Sequence, residues 1–185
     1  MATLLRGVRD GKIRKWVSAP LIYSGTTYDL VGINQAEFTD RINEDTAEGD
    51  DAEIDYFSEA VGAELRLRWF DEIEVGMDVV ALITNQTVSS DASGHERMRG
   101  GKGRYNYLGV CVQVYDVNGT SDRHFFGRKC KATSVSYTPS YSGYMVKEMT
   151  FRSVIEDTTD DNSAAYEVIE HDTAIAIAIP PTWTP

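Results

Sequence analysis

His95, His124 and His171 are the residues of this chain best suited by type to acid–base or metal chemistry. A metal or general-base site needs such residues clustered, for instance as two histidines four apart on one helix face. Here they are widely spaced and fall in different predicted elements, and no nucleophile elbow accompanies them. His171 stands between Glu170 and Asp172. Adjacent residues of a strand point to opposite faces, so neither acid is thereby placed on the ring. The spacing predicts ordinary structural or surface histidines. Cys111 and Cys130 sit among apolar neighbours in predicted strands and read as buried free thiols. A disulfide between them would require the two strands to pair in a suitable register. Two cysteines without nearby histidines make a poor metal site.

Other chemistries fail on pattern. Ile42–Tyr56 holds Glu44, Asp45, Glu48, Asp50, Asp51, Glu53 and Asp55, without the glycine and closing glutamate of a calcium loop. Gly100, Gly101 and Gly103 lie near Arg97, Arg99 and Lys102, but not in the order of a phosphate-binding P-loop. Scattered carboxylates allow a glycosidase-like pair in principle, yet nothing selects one. Tyrosine-rich strands with Phe125 and Phe126 resemble a single-strand nucleic-acid platform, which the net charge of −11 opposes. The expectation is a chain with no catalytic residue, no metal and no cofactor.

The elements that position these residues read as mainly β. Arg104–Asp116, Arg123–Tyr137 and Tyr144–Val154 form an antiparallel meander with turns at Val117–Asn118–Gly119 and Pro139–Gly143. In its first strand Leu108, Val110, Val112 and Val114 share one face, and Tyr105, Tyr107, Cys111 and Tyr115 the other. Both faces are apolar, so one is expected against the core and the other against a neighbouring subunit. Tyr105, Tyr107 and Tyr115 are the candidate interface aromatics.

Leu4–Val17 is basic and reads as a first strand, with a loose N-terminal arm over about residues 1–7. Strand character resumes over Thr26–Arg41. The acidic stretch 42–56 reads as a solvated mobile loop or a long hairpin arm. Val61–Phe70 alternates cleanly, Val61, Ala63, Leu65, Leu67 and Trp69 against Glu64, Arg66 and Arg68. Glu74–Thr84 is the one clear helix, with acids at its start and Asn85 as its stop. Residues 86–103 read as a second long, flexible loop. Ile175, Ile177 and Ile179 alternate with alanines as a last strand, stopped by Pro180 and Pro181.

At 185 residues the chain fits a single domain with a sizeable core. No apolar run is long enough to cross a bilayer, and no charged segment leads into an apolar one at the start, so it is expected in the cytoplasm when made. Charge is segmented: residues 36–78 carry fifteen acids and three bases, and residues 79–150 five acids and nine bases. Copies can set these regions against each other, which favours register-specific docking. Glu37, Asp40, Glu64, Asp50 and Asp51 are the candidate acids of such a contact. Arg97, Arg99 and Lys102 are the candidate bases.

The order of elements resembles the major tail tube proteins of long, non-contractile-tailed bacteriophages. The matching pieces are Gly7–Val8–Arg9–Asp10 with Lys12–Ile13, Tyr28–Ile33, Glu64–Leu67, the helix Val75–Ile83, and Tyr107–Val112. The most distinctive is Tyr166–Ala174 leading to Ile179–Pro180–Pro181–Thr182–Trp183. The resemblance implies an antiparallel β-sandwich or barrel of the tail tube type, with one short flanking helix and long loops. It implies homohexameric rings stacked into a hollow virion conduit for DNA during ejection, built in the host cytoplasm. Its partners would be further copies of itself, a tape-measure protein, a tail terminator and distal tail or baseplate proteins, with no membrane and no catalysis. In such a tube Glu37, Asp40, Glu64, Asp50 and Asp51 are the candidates to line the lumen or meet the next ring, and a negative lumen would repel DNA phosphates. The alternatives are a tail terminator or baseplate ring protein of the same fold, or a monomeric ligand-binding β-barrel with a closed apolar pocket.

Overall fold

The computed structural model describes residues 5–30, 32–48, 53–70, 76–99, 103–116, 118–138, 146–155 and 164–181. Ten strands and one helix follow in the order β1 (Leu5–Ser18), β2 (Ile22–Asp29), β3 (Gln35–Glu48), β4 (Glu53–Phe70), α1 (Gly76–Thr84), β5 (Val88–Ser90), β6 (Glu96–Met98), β7 (Tyr107–Asp116), β8 (Asp122–Thr138), β9 (Val146–Ser153) and β10 (Tyr166–His171). The predicted meander is β7–β8–β9, and all pairings are antiparallel. The main sheet runs β2-β1-β7-β8-β9-β4-β3, with β10 on β8.

A bend in β8 turns this sheet into a sandwich. The first half of β8 pairs with β7 on one side and β10 on the other. Its second half pairs with β9. Where partners change, Leu108 opposes Cys130 but Val110 opposes Gly127, so β8 carries one extra residue there. Such a bulge bends and twists a strand. Gly127 permits it, because a Cβ there would strike the Cys130 sulfur. The displaced backbone stays satisfied: the Arg128 amide donates to the Ala165 carbonyl, and the Val154 amide and the Tyr23 hydroxyl donate to the Lys129 and Arg128 carbonyls. The bend brings β3 across to β8 and β10: Phe38 of β3 lies 5.3 Å from Phe125 of β8 and 6.4 Å from Tyr166 of β10. The result is an antiparallel β-sandwich that does not close into a barrel.

The core sits inside this fold. Ala63, Leu65, Leu67 and Trp69 of β4 are buried as their alternation predicts, with Ile13, Leu108, Val110, Val112, Met149 and Phe151. Val61 belongs to the same sequence pattern yet is exposed. The cause is Gly62, at φ +143°, where the β3–β4 register shifts and the alternation is reset. Helix α1 packs Val79, Val80 and Ile83 into the core. It ends as Asn85 predicts: Asn85 is left-handed at φ +54°, and the Gln86 amide returns to the Ala81 carbonyl at 3.0 Å, closing a Schellman cap. Asn106 covers the next two carbonyls, those of Leu82 and Ile83.

Several expectations are corrected. Residues 5–7 already belong to β1, so any arm is shorter than predicted, and residues 1–4 lie outside the described part. The strand character over Thr26–Arg41 falls on two strands, the end of β2 and the start of β3, with a break between Asp29 and Gln35. Residues 86–103 are not a structureless loop: β5 and β6 form a small hairpin. Asp91 accepts the Ser93 and His95 amides and caps its turn. Residues 174–178 form no ladder, so the last predicted strand is instead a covering segment.

That segment settles what covers the second face of β7. Ile179 packs with Cys111 and Phe126, and Leu21, Tyr23 and Ile177 join them. The chain's own C-terminal segment therefore supplies the second cover over this part of β7, where a subunit neighbour was expected. Both cysteines are buried and free, and burial pushes the Cys130 thiol up to about 12.

Candidate assembly surfaces and a buried histidine cluster

The sheet formed by β3, β4, β9 and the second half of β8 has one buried face and one polar face. Cross-strand register sets Glu37 beside Arg66, and Glu64 beside both Thr39 and Arg152. Arg66 donates from Nε to Glu148 at 2.8 Å, in a pair exposed enough to add little stability. Glu37 and Glu64 thus share their face with Arg66, Arg68 and Arg152, and the face is of mixed charge, not simply acidic. Asp40 is not part of it. Asp40 follows Phe38 by two residues and hydrogen-bonds Tyr166, whose phenol it pushes above the usual range. Asp50 and Asp51 lie outside the described residues.

The acidic stretch is a hairpin. β3 and β4 pair from Gln35↔Arg68 out to Glu48↔Glu53. The other partner of β4, β9, stops at Ala63↔Ser153. Beyond that point the hairpin continues as a ribbon of two strands among the described residues.

Tyr107 is 37% exposed and meets Trp16 edge-on at 5.8 Å. Lys129 Nζ lies 4.5 Å from the Trp16 ring centre, and Lys131 Nζ 5.0 Å from that of Tyr107. This basic, aromatic patch is the surface among the described residues that best fits the predicted interface aromatics. Tyr115 is half-buried, and Tyr105 packs against the main core. Tyr105 precedes the first ladder pair of β7, so strand parity does not govern it. Arg97 and Arg99 are exposed at the β5–β6 hairpin, where an open depression is lined by Gln86, Thr87, Ser89, Arg97 and Arg99. It is not the enclosed apolar pocket that a ligand-binding barrel needs. Lys102 lies outside the described residues.

Two of the three histidines come together, against expectation. Asp122 and His124 are two apart on β8 and share a face, and β10 places His171 opposite Asp122. The rings of His124 and His171 are 4.7 Å apart. His171 Nδ1 lies 2.7 Å from Asp122 Oδ1, and His124 Nε2 3.1 Å from Asp122 Oδ2. Gln113 donates to the same Oδ2 and, at 2.8 Å, to the Ile175 carbonyl. The Ile175 amide donates to Oδ2 at 3.1 Å. The side chains of Asp122 and His124 are fully buried, and among the described residues His124 Nδ1 has no hydrogen-bond partner. Burial pushes Asp122 up, but bonds from Gln113, Ile175 and His171 outweigh it and hold the carboxyl below its usual range. Burial lowers His124 against the attraction of Asp122. His95 stays apart, exposed and paired with Asp91. The Asp-x-His spacing was the one signal in the sequence; the pairing of β10 with β8 carried no local mark.

No protein-family model matches the chain, and no curated protein matches it by sequence. Among solved structures, it is similar to a chain of the cryo-EM structure of the anti-feeding prophage (AFP) baseplate, 6-fold symmetrised. The likeness spans 91% of this chain and 97% of that one, at 7% identity and a TM-score of 0.44. So loose a likeness does not extend to function.

Proposed function

We propose that the chain is a structural subunit of a phage tail, in the first place of the tube of a long, non-contractile tail. Copies would join edge to edge into hexameric rings, and rings would stack into a conduit for DNA, with a tape-measure protein inside during assembly. The observation that carries this reading is the acidic β3–β4 ribbon. A lone two-stranded ribbon is marginally stable in water. Five acids, Glu44, Asp45, Glu48, Glu53 and Asp55, fall on its two strands within residues 42–56, so self-repulsion adds to that cost. A second surface bearing bases relieves both, and a neighbouring copy offers Lys129 and Lys131 or Arg97 and Arg99.

Sheet edges point the same way. Among the described residues β2 and β3 each have one ladder partner, and exposed edges of that length invite pairing with another chain. Ring closure removes them. The mixed charge of the Glu37–Glu64 face makes it a better match for a like surface of another copy than for a purely repulsive lumen. The resemblance in element order, above all through Tyr166–Ala174, supports the tube over other tail components. No catalytic role is assigned.

Negative-stain microscopy of concentrated full-length protein tests the reading. Long tubes are expected. Isolated rings would move the assignment to a terminator or baseplate ring, and a persistent monomer would overturn it.

A further inference from the structure

The buried cluster on β8 has no part in the assembly surfaces, and its donor atoms carry a reading of their own. Asp122, His124 and His171 each offer one ligand atom, and the three atoms lie within 4.8 Å of one another. We propose that Asp122, His124 and His171 form a site for a first-row divalent transition ion, zinc fitting best, which clasps the C-terminal segment to the sheet.

The donor set comes first. Two imidazole nitrogens and one carboxylate oxygen suit zinc and its neighbours, whereas magnesium and calcium take all-oxygen shells. Spacing comes second. A tetrahedral ion with bonds of about 2.0–2.2 Å holds its donors roughly 3.3 Å apart. His171 Nδ1 lies 2.7 Å from Oδ1 and His124 Nε2 3.1 Å from Oδ2, two different carboxylate oxygens, and one ligand atom from each residue fits within 4.8 Å, so side-chain rotation has to bring the three onto one ion.

The third argument is the crowding of the carboxylate. Oδ2 already accepts from Gln113 and from the Ile175 amide. Those two bonds fix its orientation, as the outer partners of metal-binding carboxylates do. Without an ion, each histidine nitrogen facing the carboxylate donates its N–H; with an ion bound, the same two nitrogens would turn their lone pairs to it and carry their N–H on the opposite ring nitrogen. Among the described residues no lysine or arginine bonds Asp122; its hydrogen bonds come from Gln113, the Ile175 amide and the two histidines, and a bound cation would add a full opposite charge. Ligands on β8 and β10, with Ile175 hydrogen-bonded to one of them, make the ion a tie across three pieces of chain.

The experiment uses the full-length protein, purified without a metal column and freed of metal by a chelator. Co(II) is the probe. One equivalent is expected to give the visible absorption of a low-coordinate nitrogen–oxygen site, and Zn(II) to displace it. Zn(II) is also expected to slow amide exchange over Ile175–Ile179. His171→Gln, checked for folding by circular dichroism, should weaken binding by about 100-fold or more. His95→Ala should leave it unchanged. A folded wild type without the Co(II) band overturns the proposal. So does a band that survives in His171→Gln, which would place the ion elsewhere. Because His171 is only partly buried, its loss need not unfold the chain, and the wild-type titration decides even if the variant fails.

Discussion

At the scale of the residue, the buried Asp122–His124 pair ties stability to pH. Both groups titrate below their ordinary values of 3.8 and 6.5 in the folded chain, His124 because burial disfavours its charge. A lowered folded value gives stability that is present above the unfolded value and lost as pH falls through the folded one. For His124 the loss begins as pH drops below 6.5, and for Asp122 below 3.8. His171 faces the same carboxylate and shares the site. In metal-free protein the urea midpoint should therefore fall between about pH 7 and about pH 5, and His124→Gln should flatten that fall. Gly62 gives a second prediction. Its φ of +143° is closed to side chains, and a Cβ would lie 2.5 Å from the Ser153 carbonyl oxygen. Gly62→Ala should cost about 1–3 kcal/mol by denaturant titration. Gly25→Ala, at φ +73° with nothing within 4 Å, should cost less.

At the scale of the element, local pattern decided most of what was seen. Alternation over residues 63–69 and the spacing of Val79 and Ile83 placed β4 and α1 correctly, because burial on one face is written in side-chain period. Asn85 marked the helix end, since asparagine tolerates the left-handed cap at low cost. Asn85→Ala should thus lower stability by about 1 kcal/mol, and Asn85→Gly should restore it in thermal melts. Where pattern failed, backbone geometry had intervened. Val61 is exposed because the Gly62 shift reverses parity. The 174–178 segment reads as a strand by alternation, but its hydrogen bonds go to Thr120, Asp122 and Gln113 and not to a ladder. Alternation reports two faces; it does not report a paired edge.

At the scale of the whole molecule, the two-stranded ribbon and the sandwich differ in how many ladder partners hold them. β9 pairs with β4 only from Ala63 onward. Replacing 43–59 with a two-residue turn between Ile42 and Ala60 should leave the near-ultraviolet dichroism of the subunit intact. If the ribbon docks on a neighbour, the same deletion should abolish tubes in negative stain. Raised salt should weaken assembly of the intact chain, because acidic-to-basic docking is screened over about 8–10 Å. Unchanged tubes from the shortened chain would separate the ribbon from assembly.

The amino-acid sequence by itself determined a mainly β chain, the β7–β8–β9 meander, the single helix with its stop, and the inward set of β4, because each depends on contacts or periodicities a few residues long. Tertiary structure alone decided the order β2-β1-β7-β8-β9-β4-β3, the bend at Gly127, the C-terminal cover over Cys111, and the meeting of His124 with His171. Those depend on which distant strands share a ladder. That choice is set by the whole core packing at once and leaves no mark in any short stretch of sequence.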